Sequence, residues 1–81
     1  MAQEQRVNYE APKVGTVTHI QNQAHLQKII KEYPGVVVDF WSANSQGCMR
    51  FKPIFEGTAQ GNQNKNIVFC AVDCDNARDV A

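Results

Sequence analysis

The chain has 81 residues, with eight basic and eight acidic side chains and a formal net charge of zero. This length allows one small domain, close to the size at which a single hydrophobic core becomes marginal. Balanced charge leaves no basic footprint, so neither nucleic acid nor an anionic membrane surface is expected as a partner. No apolar run approaches the roughly 20 residues of a membrane-spanning helix. The opening residues Met1-Ala2-Gln3-Glu4-Gln5-Arg6 are polar where a secretory signal would be apolar. These features predict a soluble, cytoplasmic protein.

Residues 1–13 carry no hydrophobic period and read as a polar N-terminal arm, ordered only against something that binds it. Residues 14–81 carry the regular elements. Residues 16–20 (Thr-Val-Thr-His-Ile) are β-branched and partly alternating, which predicts a strand. Asn22 is placed to cap a helix whose apolar face would hold Leu26, Ile29, Ile30 and Tyr33, and Pro34-Gly35 stops it. Residues 36–41 form a near-continuous apolar strand of the type covered on both faces in a parallel sheet. Ser45 can cap a second helix with Cys48 in its first turn and Cys48, Phe51, Phe55 and Thr58 along one face. Pro53 falls inside that helix and removes one backbone hydrogen bond. After a polar loop over residues 61–66, residues 67–72 make another buried-type strand, and Asp75 or Asn76 would cap a third helix. Strand, helix, strand, helix, strand with apolar strands predicts an α/β unit built on a parallel three-stranded sheet.

The stretch Asp39-Phe40-Trp41-Ser42-Ala43-Asn44-Ser45-Gln46-Gly47-Cys48, followed by Pro53 in a helix, resembles the active-site segment of the thioredoxin family. Val68-Phe69-Cys70-Ala71-Val72-Asp73-Cys74-Asp75 is similar to the family's third strand and acidic turn, and Asp79-Val80-Ala81 to the start of the next helix. The resemblance covers the first two-thirds of a thioredoxin. It implies a thioredoxin-like fold, incomplete at its C-terminal side, without the family's cis-proline loop and last strands. In the family's sheet order the absent strand pairs with residues 36–41, so the expected partner is another protein, or the remainder of a longer chain, covering an open sheet edge.

The resemblance also implies a chemistry, and this chain departs from it. The family's nucleophile is the first cysteine of Cys-x-x-Cys, and Ser45 stands there, which makes the motif Ser-x-x-Cys. Asn44 replaces a usual Trp, Gln46-Gly47 replaces Gly-Pro, and Met49 stands where Lys is common. Cys48 and Asp39 remain as candidate catalytic residues. Cys48 sits in the first turn of a helix, where free N–H groups favour thiolate, and Asp39 lies among apolar neighbours that should raise its pKa. Asp39 is either a proton acceptor for Cys48 or a relic of that role. The expected function is a redox-inactive or weakly active thioredoxin-like module that binds protein within a larger protein or assembly. The alternative is a one-cysteine thiol oxidoreductase or a peroxide-reactive enzyme, since Ser45-Gln46-Gly47-Cys48 shares the outline of a peroxiredoxin site.

Three cysteines cannot all pair, and with no secretory signal they read as free thiols. Cys70 falls in a strand pattern and reads as a small buried hydrophobe. The Cys70–Cys74 spacing lacks a matching pair of further ligands, and Asp73 with Asp75 reads as capping charge, so no metal or cofactor is expected. His19 and His25 lack a Cys or Asp at catalytic spacing and read as surface or strand histidines.

Overall fold

Strand formation follows the β-branched runs, and each helix begins at a side chain that caps it. The computed structural model describes residues 9–79 and holds, in chain order, β1 (Val17–Ile20), α1 (Gln23–Glu32), β2 (Gly35–Trp41), α2 (Gln46–Gly61) and β3 (Ile67–Asp73). The strands are parallel in one sheet of order β1-β3-β2. This is the predicted β-α-β-α-β unit with a thioredoxin-like architecture.

Register determines which side chains share a face. Thr18 pairs with Cys70 and Ile20 with Val72, while Val36, Val38 and Phe40 pair with Val68, Cys70 and Val72. These residues alternate onto one face, where Leu26 and Ile29 of α1 close a core around Val68, Cys70 and Val72, flanked by Tyr33, Val36 and Val38. The opposite face carries Val37, Asp39 and Trp41 in register with Phe69, Ala71 and Asp73. It belongs to α2, whose Phe55 meets Phe69 edge-to-face at 5.4 Å. That geometry suits two aromatic quadrupoles and adds to the burial of both rings.

Asn22 caps α1 as predicted, its Oδ1 accepting the His25 N–H at 3.0 Å. The Asp79 carboxylate reaches back across the chain to accept the Gln23 N–H at 3.0 Å. At the other end, Gly35 lets β2 start close against β3: a Cβ there would stand 3.0 Å from the Ile67 side chain. The loop after α2 is held by its asparagines, with Asn62 Nδ2 donating to the Ile67 carbonyl at 2.8 Å and Asn64 Oδ1 accepting the Asn66 N–H at 2.9 Å.

Five expectations change. Ile30 is not on the buried face of α1 but 53 % exposed. The inner face of α1 is made by His25, Leu26 and Ile29, and His25 is neither a surface nor a strand histidine but fully buried in the helix. His19 does lie exposed on β1. On α2 the inward residues are Phe55 and Ala59, while Phe51 and Thr58 fall on an exposed flank. β2 is not covered on both faces. Among the described residues it ends the sheet, and Val37 and Phe40 are 40 % and 49 % exposed. Beyond β3 the capping residue is Asp73, whose Oδ1 accepts the Asp75 N–H at 3.0 Å, and residues 74–79 form turns. The remainder of the expected third helix, residues 80–81, lies outside the described residues, as does most of the arm, residues 1–8.

The described part of the arm is tied down through the same histidine. Nδ1 of His25 accepts the Gln21 N–H at 3.0 Å, so Nε2 carries the proton and donates to the Glu10 carbonyl at 3.0 Å. Tyr9 stacks on the imidazole at 4.7 Å with the planes 8° apart. We expect His25→Ala to lower unfolding stability by about 2–4 kcal/mol, from a cavity plus two unpaired backbone groups. His25→Phe, which keeps the ring, should lose roughly 1–2 kcal/mol. Urea denaturation measures both, and amide exchange should speed up at residues 10 and 11 in each variant.

Candidate functional site

The candidate residues collect at the C-terminal end of the sheet, where β2 gives way to α2. Residues 42–45 make the turn, with the Ser45 N–H donating to the Ser42 carbonyl at 3.1 Å. Ser45 itself is extended (φ −106°, ψ 116°) and caps α2: its Oγ accepts the Cys48 N–H at 3.3 Å and its carbonyl accepts the Met49 N–H at 3.1 Å. A serine does this well because its hydroxyl satisfies a donor the helix start leaves free. Cys48 is therefore in the first turn, half-buried, with its backbone N–H committed to Ser45.

Pro53 sits inside α2 and has no N–H to offer the Met49 carbonyl. The helix nevertheless runs to Gly61, held onto the sheet by Phe55 and Ala59. Lys52 extends over the Trp41 ring, its Nζ 4.8 Å from the centroid, a cation–π contact joining α2 to the end of β2. The indole Nε1 of Trp41 is buried and has no hydrogen-bond partner among the described residues. Ala43, Gln46, Met49 and Arg50 line an open depression beside the turn.

Asp39 is half-buried on the sheet face that α2 covers, level with Ala71 of β3. Burial raises its carboxyl pKa above the ordinary 3.8, the direction expected for a carboxylate among apolar neighbours. Asp39 and Cys48 thus share one layer, the sheet face and the helix on it. No hydrogen bond joins them among the described residues.

Two residues at this end have neighbours that the sequence reading did not give them. Cys74 follows β3, half-buried, and its N–H donates to the Trp41 carbonyl at 2.9 Å, which sets it beside the end of β2. Asp75 accepts the Ser42 hydroxyl at 3.0 Å and so ties the turn after β2 to the turn after β3. Both follow from the parallel pairing of β2 with β3, which local spacing does not reveal. Cys70 is fully buried, and burial, with the Glu10 carboxylate adding to it, pushes its thiol up to about 11. Among the described residues no three His, Cys, Asp or Glu side chains are grouped to hold a metal ion.

Two measurements follow from these environments. Because the folded state raises the Asp39 pKa, it binds more protons than the unfolded chain just above pH 3.8, and stability from this group falls as pH rises through that window. Asp39→Asn should therefore raise the denaturation midpoint at neutral pH, with the gain vanishing below about pH 4. In the native chain at pH 8, iodoacetamide should label the partly exposed Cys48 and Cys74, while Cys70 reacts only on unfolding. Peptide mass spectrometry reads the three rates, and equal rates would contradict the burial of Cys70.

Comparison with known proteins agrees with this architecture. The thioredoxin family profile matches residues 16–81. The chain is 36% identical over 67 residues to a thioredoxin of Ictalurus punctatus, covering 80% of this chain and 63% of the relative. It is 32% identical over 62 residues to a thioredoxin of Coprinus comatus, covering 76% and 58%. Among solved structures, a mutant thioredoxin from Halobacterium salinarum NRC-1 superposes with a TM-score of 0.72 at 18% identity, covering 89% of this chain and 61% of that one. The thioredoxin of Malassezia sympodialis gives 0.64 at 23% identity, covering 91% and 64%. The chain spans less than two thirds of the length of each of these proteins. With the family profile matched over residues 16–81 and the three strands and two helices superposing on part of the thioredoxin fold, the chain belongs to the thioredoxin family.

Proposed function

We propose that this thioredoxin-like domain does not carry out two-cysteine disulfide exchange and acts by associating with protein. The observation that carries the reading is Ser45. At the motif position of the family's nucleophile it holds a hydroxyl, and that hydroxyl accepts the Cys48 N–H at the start of α2. A serine oxygen can form no mixed disulfide with a substrate, and Cys48 then has no motif partner with which to close an internal one. The scaffold around it is retained: the strand, the capped helix, Pro53 and the Asp39 carboxyl. The apolar flank of α2, with Phe51 44 % and Ile54 63 % exposed, supplies surface for association.

A second reading keeps Cys48 as a one-cysteine thiol centre, with Asp39 as its proton acceptor. It is favoured by the partial exposure of Cys48 in the first turn of α2 and by the raised Asp39 carboxyl on the face that α2 covers.

Insulin reduction by dithiothreitol separates the two. The natural chain should leave the rate unchanged, and Ser45→Cys should accelerate it by roughly tenfold or more by restoring the attacking thiol. Acceleration by the natural chain that disappears in Cys48→Ala would replace the association reading with the thiol-centre one.

A further inference from the structure

Residues 9–12 lie against α1 and are held at His25. The imidazole is fully buried, and each of its nitrogens has a backbone partner: Nδ1 accepts the Gln21 N–H and Nε2 donates to the Glu10 carbonyl, both at 3.0 Å. Tyr9 stacks on the same ring, the centroids 4.7 Å apart. The stack requires an aromatic side chain, whereas the hydrogen bond takes a main-chain carbonyl and asks nothing of the residue that carries it. Glu10 and Ala11 are correspondingly exposed, while Tyr9 and Pro12 are half-buried. Two side chains and one carbonyl thus define how α1 recognises this segment.

Two features make the segment replaceable. It is joined to β1 by a turn in which the Thr16 N–H and hydroxyl both donate to the Lys13 carbonyl, at 3.2 and 2.8 Å, and Gly15 takes φ 84°. Sheet pairing starts only at Val17, so residues 9–12 can leave α1 without breaking a strand. The seat is also larger than its occupant. A cleft of about 140 Å³ remains between Ala11 and Pro12 of the arm and Lys28, Ile29 and Glu32 of α1. Ile29 is buried and apolar, and Lys28 pairs with Glu32 at 2.6 Å, so the cleft has an apolar wall and a rim without net charge. Ala11 is too small to fill it.

We propose that the groove at His25 is a docking site for an extended segment of another protein, and that residues 9–12 mask it by occupying it in cis. The inference rests on the association reading and gives it a surface. What the groove holds defines the segment. An aromatic residue stacks on the imidazole, the next residue presents its carbonyl to Nε2, a bulky aliphatic residue takes the space Ala11 leaves, and proline follows. Such a segment buries apolar surface that the arm does not, and so offsets the advantage the arm has from its tether. The arm of a second copy would bring the same Ala11 without the tether, and has nothing with which to displace the first. Masking lowers the apparent affinity of the partner in proportion to the fraction of chains whose arm is undocked.

Fluorescence anisotropy on the 81-residue chain tests this, with far-UV circular dichroism to confirm folding. The probe is a labelled synthetic peptide of residues 6–13 carrying Ala11→Leu. Tyr9→Ala in the chain undocks the arm, and the peptide should bind that variant about tenfold or more tighter than it binds the natural chain. Tyr9→Ala in the peptide should weaken its binding by about tenfold or more, and restoring Ala11 should weaken it as well. The amides of Gln21, His25 and Ile29 should shift in nuclear magnetic resonance spectra as the peptide is added. Absence of binding to the folded Tyr9→Ala chain overturns the proposal. So does binding that ignores the peptide's tyrosine, that is equal for the natural and variant chains, or that shifts only other elements. Unfolding of the chain by Tyr9→Ala would make Tyr9 part of the core rather than a mask and overturns it too, as does a dimer of the natural chain that Tyr9→Ala dissolves. Insulin reduction depends on Ser45 and Cys48 and peptide binding on His25, so failure of the association reading and failure of this inference are read separately.

Discussion

The pairing of β3 with a strand on each side is the constraint on which the rest depends. Val68, Cys70 and Val72 face α1 and are buried, while Phe69 and Ala71 face α2. Among the described residues β1 pairs only with β3, and so does β2. Neither helix could bury an apolar face without the sheet that β3 assembles; α1, at 10 residues, is too short to persist alone, and α2 is interrupted by Pro53. A chain of this size has little surplus burial, so a change that uncouples β3 would be expected to dissolve both layers together.

The same constraint explains where chemistry can collect. Parallel pairing brings the C-terminal ends of β2 and β3 side by side, so the turns that follow them meet. Ser42 bonds to Asp75 and Cys74 to Trp41 because the strands deliver them to one edge, although more than 30 residues of chain separate each pair. α2 then rises from that edge with Ser45 as its cap. The cap holds Cys48 in place irrespective of any redox role, because a hydroxyl satisfies the helix N-terminus as a structural group. Loss of a nucleophile at this position therefore carries no obvious penalty in folding. The scaffold and the reaction are separable here, as expected when a site is grafted onto a widely used fold.

The elements legible in sequence were those decided locally. Asn22 and Ser45 as caps, Pro34-Gly35 as a stop and residues 67–72 as a buried strand each follow from a few neighbouring residues, and each is found. What escaped was decided by partners distant in the chain. Residues 36–41 look as buried as residues 67–72, since both are apolar throughout. Only strand order separates a central strand from an edge. His25 looks like an unremarkable polar residue, yet its ring fills a core position because Gln21 and Glu10 supply one backbone donor and one backbone acceptor, which a neutral imidazole matches. Cys74 was read against Cys70 along the chain, whereas its meaningful neighbour is Trp41 across the sheet.

The two faces of the β2 edge differ in a way that bears on what can cover it. On the α1 face the outermost side chains are Val36, Val38 and Phe40, all apolar, so any strand laid there gains burial with no polar group to satisfy. On the α2 face Asp39 interrupts the row, already disfavoured as an anion by its burial. A neighbour that brings a second carboxylate is penalised and one that brings an apolar or cationic side chain is accepted, so a single acid is enough to select register on an otherwise permissive edge. Asp39 thus bears on how any strand beside β2 would pack, whether or not Cys48 ever receives or gives a proton.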